Sequence, residues 1–342
     1  MLDLRRLRLL HELNRRGTIA SVGQALHLSP SGVSQQLALL ENEAGVRLLE
    51  RVGRGVRLTD AARTLVGHTE AVLAELEQAE TDLAVLGAQP RGRIRIASFQ
   101  TATLALVPSL LDRLSRHEYL RIELTEIEPE EALPALLAHD YDLVLGEEYP
   151  GAPAPISAQM DRRDLCRDPI RLATPVTKPD RPVHPDRAEL AGLATLSRSS
   201  RCVWVMEPLG TASRRWATTL CRAAGFEPDV RYESDDLLAH LALVERGHAA
   251  AFLPDLIWPE RIPRLPGLHR LPGQERTIFT GVRRGSERHP AVRVVRDTLR
   301  DIVSARPSAS TPPGEPQNRP GHRRPTTGTG TGTGTGEYRC RD

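Results

Sequence analysis

Leucine recurs at positions 4, 7, 10 and 13, and Ile19, Val22 and Leu26 follow at helical spacing, so the chain opens on two short amphipathic helices. A third starts sharply at LSPSGVSQQLALLE: Ser29 is an N-cap residue type, and Pro30 suits the first helical position because its φ is fixed and it has no amide hydrogen to satisfy. Along that helix Val33, Leu37 and Leu40 fall at i, i+4 and i+7 on one stripe, while Ser31, Ser34, Gln35 and Ala38 share the opposite side. Three such helices can close a small core. Gly45 then stops the helix, and AGVRLLERVGRGVRLT reads as two short strands around a turn at Gly53 to Gly55, a wing. From Asp60 to Leu86 the pattern changes. Leu65, Thr69, Val72, Leu76, Ala79, Leu83 and Leu86 step by four and three, with Glu70, Glu75, Glu77, Glu80 and Asp82 off the stripe. A helix of this kind either pairs with a second helix or packs on its own domain.

GAQPRG at Gly87 to Gly92 ends the long helix and marks a boundary. Beyond it strands and helices alternate: a strand through Ile94, Ile96 and Ser98, a helix Leu104–Leu114, a strand Ile122–Glu126, a helix Ala132–Ala138 and a buried strand Tyr141–Leu145. A second set follows, with strands at Ile170–Thr174, Thr195–Ser197, Val203–Met206, Arg231–Glu233 and Ala249–Leu253, and helices at Ser213–Ala224 and Asp236–Gly247. This alternation predicts an α/β fold in two lobes, with ligands held at strand ends.

Composition and charge refine the picture without changing it. The chain has 342 residues and a net charge of only +2, yet Met1 to Leu58 carries nine arginines against five acids. The basic charge is concentrated on the N-terminal helices and wing. No apolar run reaches the roughly 18 residues a membrane helix needs, and MLDLRRLRLL lacks a signal-peptide core, which predicts a cytoplasmic protein. Cys166, Cys202, Cys221 and Cys340 have no CxxC spacing, so reduced structural thiols are expected, with no metal and no cofactor. Arg306 to Asp342 is rich in Pro, Gly and Thr and cannot bury a core; a disordered tail is expected from 305 to 342.

The candidate chemistry lies in two places. The outer face of the third helix is small, uncharged and rich in hydrogen-bonding groups, which suits a major groove, where Gln can bond adenine and Ser accepts or donates. It reads equally as an ordinary surface helix. Arg51, Arg54 and Arg57 on the wing suit phosphates or a narrow minor groove, or else decorate a solvated hairpin. In the lobes, SFQTAT puts Ser98, Phe99, Gln100, Thr101 and Thr103 at a strand end beside a helix start, and EPLGTAS puts Glu207, Gly210, Thr211 and Ser213 at another. Free amides at two helix starts suit a polar ligand, an organic acid among the candidates, unless the hydroxyls merely cap their helices. Phe252 is placed with this group. No nucleophile elbow, phosphate-binding glycine loop or metal-ligand spacing supports an enzyme.

Taken in order, Gly17-Thr18-Ile19, Val22-Gly23, Leu26 to Ser29, Ser34, Leu40-Glu41, Gly45 to Arg51 and Leu58-Thr59 resemble the winged helix-turn-helix of LysR-type transcriptional regulators. Pro30-Ser31, Gln35 and Ala62 depart from its usual Gln-Pro, Arg or Lys, and Gly. Weaker likenesses follow in the same order at DYDLVLGEE, LCRDPIRLATP, AAGFEPDVRYESDD and VERGHAAAFLP. The resemblance implies a winged helix-turn-helix over 1–59, a linker and dimerisation helix over 60–88, and an effector domain over 92–304 similar to type 2 periplasmic binding proteins. Its first lobe would span about 92–161 and 268–304 and its second about 162–267, with the chain crossing twice. It further implies double-stranded DNA with an imperfect inverted repeat as partner, read by Thr18, Ser29, Pro30, Ser31, Ser34 and Gln35 with the wing arginines. A homodimer through the linker, a homotetramer, contact with RNA polymerase and a small-molecule effector between the lobes complete the expectation. The other classes left open are an enzyme on the α/β lobes and a small-molecule-binding protein whose N-terminal domain serves protein interaction.

Overall fold

The structure, a computed structural model, describes residues 1–53, 55–87, 89–154, 157–175, 194–258 and 267–306. Arg54, Cys340 and the tail from residue 307 lie outside them. Three helices, α1 (Leu4–Arg16), α2 (Ile19–Leu26) and α3 (Pro30–Ala44), enclose a core of Leu10, Leu13, Val22, Val33, Leu37 and Leu40. Their starts are set by side chains. Asp3 Oδ1 accepts from the amides of Arg5 and Arg6, Thr18 Oγ1 from Ser21 N at 3.1 Å, and Ser29 Oγ from Gly32 N at 3.0 Å. Between α2 and α3 the chain turns at His27, whose φ is +55°, and Leu28 N donates to Gly23 O at 2.8 Å. A Cβ on Gly23 would stand 2.7 Å from Leu28 O, so the tightness of this turn depends on a residue without one.

Strands β1 (Leu49–Val52) and β2 (Gly55–Leu58) pair antiparallel to make the wing. Glu41 ties it to α3, its Oε1 accepting from Leu48 N at 2.8 Å and Leu49 N at 3.0 Å. Thr59 then caps α4 (Asp60–Val85), whose 26 residues span ~39 Å. The stripe along α4 is divided in use. Leu65 and Thr69 are spent inside the N-terminal unit, whereas Val72, Leu76, Leu83 and Leu86 are exposed. Elsewhere α4 rests on the following domain, where Arg283 donates to Glu77 at 2.9 Å and Gln159 to Glu70 at 2.6 Å.

The rest of the described chain is built on a six-stranded sheet of order β4-β3-β5-β10-β6-β9. β3 (Gly92–Ser98) lies parallel between β4 (Leu120–Glu126) and β5 (Leu143–Glu148), flanked by α5 (Gln100–Ala105), α6 (Val107–Leu114) and α7 (Pro129–Leu137). β6 (Met160–Ala173) and β10 (Leu268–Arg283) run antiparallel beside each other from the first lobe into the second, and these are the two crossings. The second lobe adds β9 (Ala251–Pro254) at the sheet edge and a parallel pair, β7 (Val203–Met206) and β8 (Asp229–Glu233), joined by a bridge from Trp204 to Ala250. Its helices include α8 (Ala212–Ala223) and α9 (Leu237–Glu245), and at its centre Trp204 stacks on Phe252 while Trp216 meets Phe252 edge-on. The final helix, α10 (Pro290–Ala305), buries Val292, Val295, Leu299 and Ile302 in the first lobe.

Two elements differ from the sequence pattern. The helix predicted over Leu104–Leu114 is two helices broken at Leu106, because Pro108 in the first turn of α6 offers no amide hydrogen and crowds the carbonyl four residues back. Thr195–Ser197, expected as a strand, is helical and runs into a 3-10 turn at Ser199–Arg201. Its two hydroxyl residues and short length made the apolar alternation there too brief to decide.

Candidate DNA-reading face and effector cleft

On α3 the buried stripe of Val33, Leu37 and Leu40 turns Ser31, Ser34, Gln35 and Ala38 outward, all four exposed. Among the described residues neither Ser34 nor Gln35 has a hydrogen-bond partner for its side chain, and the face they share carries no charge. Thr18, Ser29 and Pro30 are exposed at the starts of α2 and α3, but the hydroxyls of Thr18 and Ser29 are engaged as caps. Their backbones, not free side chains, border the face. On the wing Arg51 is exposed and, among the described residues, without an ion pair, while Arg57 donates to Glu50 across the strands at 2.9 Å. Arg54 falls outside the described residues.

The end of β3 and the start of α5 form one wall of the interlobe cleft. Ser98 and Thr101 are buried, Thr101 Oγ1 accepting from Arg276 Nη2 at 2.6 Å, and Phe99 lies 5.2 Å under the Arg276 guanidinium. Thr103 Oγ1 is a buried oxygen without a partner among the described residues. Gln100 reaches across the cleft, donating to Asp236 Oδ1 at 2.7 Å and accepting from Leu237 N at 2.9 Å. On the facing wall Glu207 accepts from Ser213, Ser213 lies 3.1 Å from Thr211, and Thr211 caps α8 through Arg214 N. Gly210 has a φ of +103°, which turns the loop into α8, and its carbonyl accepts from Arg215. Phe252 belongs to the second lobe's core and borders a void of about 30 Å³ beside Glu207, Ser213 and Tyr149, room for one water.

Three features of this cleft were not read from the sequence. Arg276, 1% exposed, is clamped by Glu147 and by Asp168 at 2.7 Å. Glu130 of α7 crosses to the other lobe and accepts from Ala212 N at 2.7 Å. Glu147, Glu128 and Glu207 share the cleft and repel one another: burial, then Glu147, pushes Glu207 up to about 8, and burial with Asp235 pushes the more exposed Glu128 up to about 7. Burial likewise raises Glu147 despite Arg276. The position of GEE at the end of a predicted strand was the available signal for Glu147, while Arg276 had no local signal.

This arrangement differs from the expected anion site. The first amide of α8 already holds Glu130, that of α9 holds Gln100, and among the described residues the one buried cation of the cleft is neutralised by two carboxylates. An added carboxylate there would meet Glu147, Glu207 and Glu128. Among the described residues the thiols are not activated, since burial pushes Cys166 up to about 11 and Cys221 up to about 12 and raises Cys202 as well. Among the described residues no helix is long and apolar enough to cross a membrane, and no cluster of acidic, histidine or cysteine side chains is placed to hold a metal.

A winged helix-turn-helix joined by a long helix to two lobes around a polar cleft defines an effector-controlled DNA-binding transcriptional regulator. Residues 4–63 match the bacterial regulatory helix-turn-helix proteins of the lysR family, and residues 87–304 match the LysR substrate binding domain. The chain belongs to the LysR family. It is 27% identical over 265 residues to the transcriptional dual regulator GltC of Bacillus subtilis, covering 77% of this chain and 84% of that protein. It is 28% identical over 305 residues to the probable HTH-type transcriptional regulator LrrA of Synechococcus elongatus, covering 88% and 98%. The fold is also that of a full-length OxyR variant from Pseudomonas aeruginosa, with a TM-score of 0.57 at 20% identity over 88% of this chain and 98% of that one.

Proposed function

We propose that two copies of the chain, paired through the exposed part of the α4 stripe, read an imperfect inverted repeat in a promoter, and that a small molecule in the interlobe cleft sets how they do so. The work is done in the cytoplasm, beside the chromosome. The carrying observation is the α3 face: an outward, uncharged set of Ser31, Ser34 and Gln35 beside a capped turn and a basic wing. In this reading Ser34 and Gln35 meet base edges, the starts of α2 and α3 at Thr18, Ser29 and Pro30 meet the backbone, and Arg51, Arg54 and Arg57 meet phosphates. A ligand moves the paired units only through unequal affinity for two conformations. Because among the described residues the buried Arg276 of the cleft is already neutralised by Glu147 and Asp168, the cleft favours a hydrogen-bonding or amine-bearing group over a carboxylate at this point.

Gel retardation and footprinting on the chain's own upstream DNA test the reading. Sequence-specific retardation that weakens steeply with salt is expected. Gln35→Ala relaxes discrimination at one base by about 1–3 kcal/mol, and Arg51→Ala weakens all sequences alike. An unchanged footprint and base preference in Gln35→Ala removes α3 from the groove.

A further inference from the structure

On the α7 face of the first lobe, reaching the start of α8 in the second, lies a cavity of about 330 Å³, a size that holds a small molecule. Its walls are apolar: Leu133 and Leu137 from α7, Val144 from β5, Met160 from β6 and Phe279 from β10. The Phe279 ring lies directly over Gly146, where a Cβ would stand 2.4 Å from it. Three parts of the chain meet here, because Arg15 comes from α1 and Ala212 and Arg215 come from α8 in the second lobe.

The charged groups of the cavity are unequally satisfied. Both carboxylates have partners, Glu147 holding Arg276 and Glu130 accepting from Ala212 N. Among the described residues neither arginine is paired with an anion. Arg15 Nη2 donates to the neutral carbonyl of Pro134 at 2.8 Å, Arg215 donates to the carbonyl of Gly210, and Arg15 Nε is buried with no acceptor. The neighbouring acid Glu12 is committed to Arg16 at 2.7 Å. Burial holds the Arg15 guanidinium below its ordinary value, although Glu12, Glu70 and Asp140 nearby act in the other direction. A guanidinium edge accepts a carboxylate in plane, and five apolar side chains suit an apolar body on the same ligand.

We propose that this cavity binds a small amphipathic monocarboxylate, its apolar body against Leu133, Val144, Met160 and Phe279, its carboxylate on Arg15, with Arg215 adding positive potential. The site shares no lining residue with the void beside Glu207, although Glu130, Glu147 and Ala212 also take part in the bonds of the cleft. Since its walls belong to α1 and to both lobes, an occupant favours the arrangement in which α1 is docked on α7, and so couples the DNA-reading unit to the effector domain.

Isothermal titration of the full-length chain with phenylacetate and with isocaproate, alongside phenethylamine and acetate, tests this. Saturable binding of the two amphipathic acids is expected, with neither the amine nor acetate binding. Arg15→Gln weakens binding at least tenfold and Leu133→Trp, which fills the cavity, abolishes it, while Arg222→Gln, at an exposed arginine of α8 outside the cavity, leaves it unchanged. Arg15→Gln, at a half-buried position, carries the test alone if Leu133→Trp does not fold. Silence of both acids in the millimolar range, binding that persists in Arg15→Gln, or binding lost in Arg222→Gln overturns the proposal. Retardation of operator DNA, measured on the same samples without acid, reports separately on the regulator reading.

Discussion

Glu207 keeps its proton where an ordinary carboxyl has lost it, because burial and Glu147 push it up to about 8 in the folded chain against 4.5 for an unperturbed glutamate. Between those two values the native state binds more protons than the unfolded state, so its stability falls as pH rises through the window. Urea denaturation between about pH 5.5 and about pH 8.5 is expected to show this loss, and Glu207→Gln to flatten it. Parallel curves for the two proteins would mean that Glu207 is ionised and compensated. At this scale much was hidden from the sequence. Ser98, Gln100 and Ser213 were legible because they stand where a strand turns into a helix, a local pattern. Arg276 was not, since its partners Glu147 and Asp168 lie 129 and 108 residues away and nothing local announces them.

Among the elements α4 has the plainest unspent surface. Leu83 is 70% exposed and Leu86 83%, on the side of the helix that also carries Val72 and Leu76. Each leucine fully buried in a pair contributes about 1.5–3 kcal/mol, enough in aggregate to hold two copies together. The double variant Leu76→Glu and Leu83→Glu is therefore expected to sediment as a monomer and to lose most operator affinity, whereas an unchanged mass would place the contact between copies elsewhere. The alternation of three and four residues made this stripe readable, but not its division. Thr69 satisfies the spacing and is yet buried, its hydroxyl donating to Leu65 O at 2.8 Å in its own unit. Spacing says which residues share a side, and only packing says which neighbour takes them. The split between α5 and α6 was in principle legible, since Pro108 stands inside the predicted helix.

At the scale of the molecule the order of domains followed from the switch in hydrophobic period at Asp60 and Gly92, while the contacts among them did not. Arg16 donates to Asp140 at 2.7 Å, and Arg283, from the end of β10, binds Glu77 of α4 and Leu136 O of α7 at 2.9 Å each. These bonds join segments more than a hundred residues apart. The cleft is fastened in the same way, by Gln100 to the start of α9 and by Glu130 to the start of α8. The void beside Glu207 measures about 30 Å³, so a ligand larger than water fits there only if the walls move. Capture therefore has a speed limit. In stopped flow the observed rate should climb with ligand concentration and then level off at the opening rate. Gln100→Ala should lift that ceiling about fivefold, the equivalent of one ordinary hydrogen bond. A rate that grows without limit would mean the door is already ajar. How promptly the regulator answers a rising metabolite is thus written in two side chains that need never touch it.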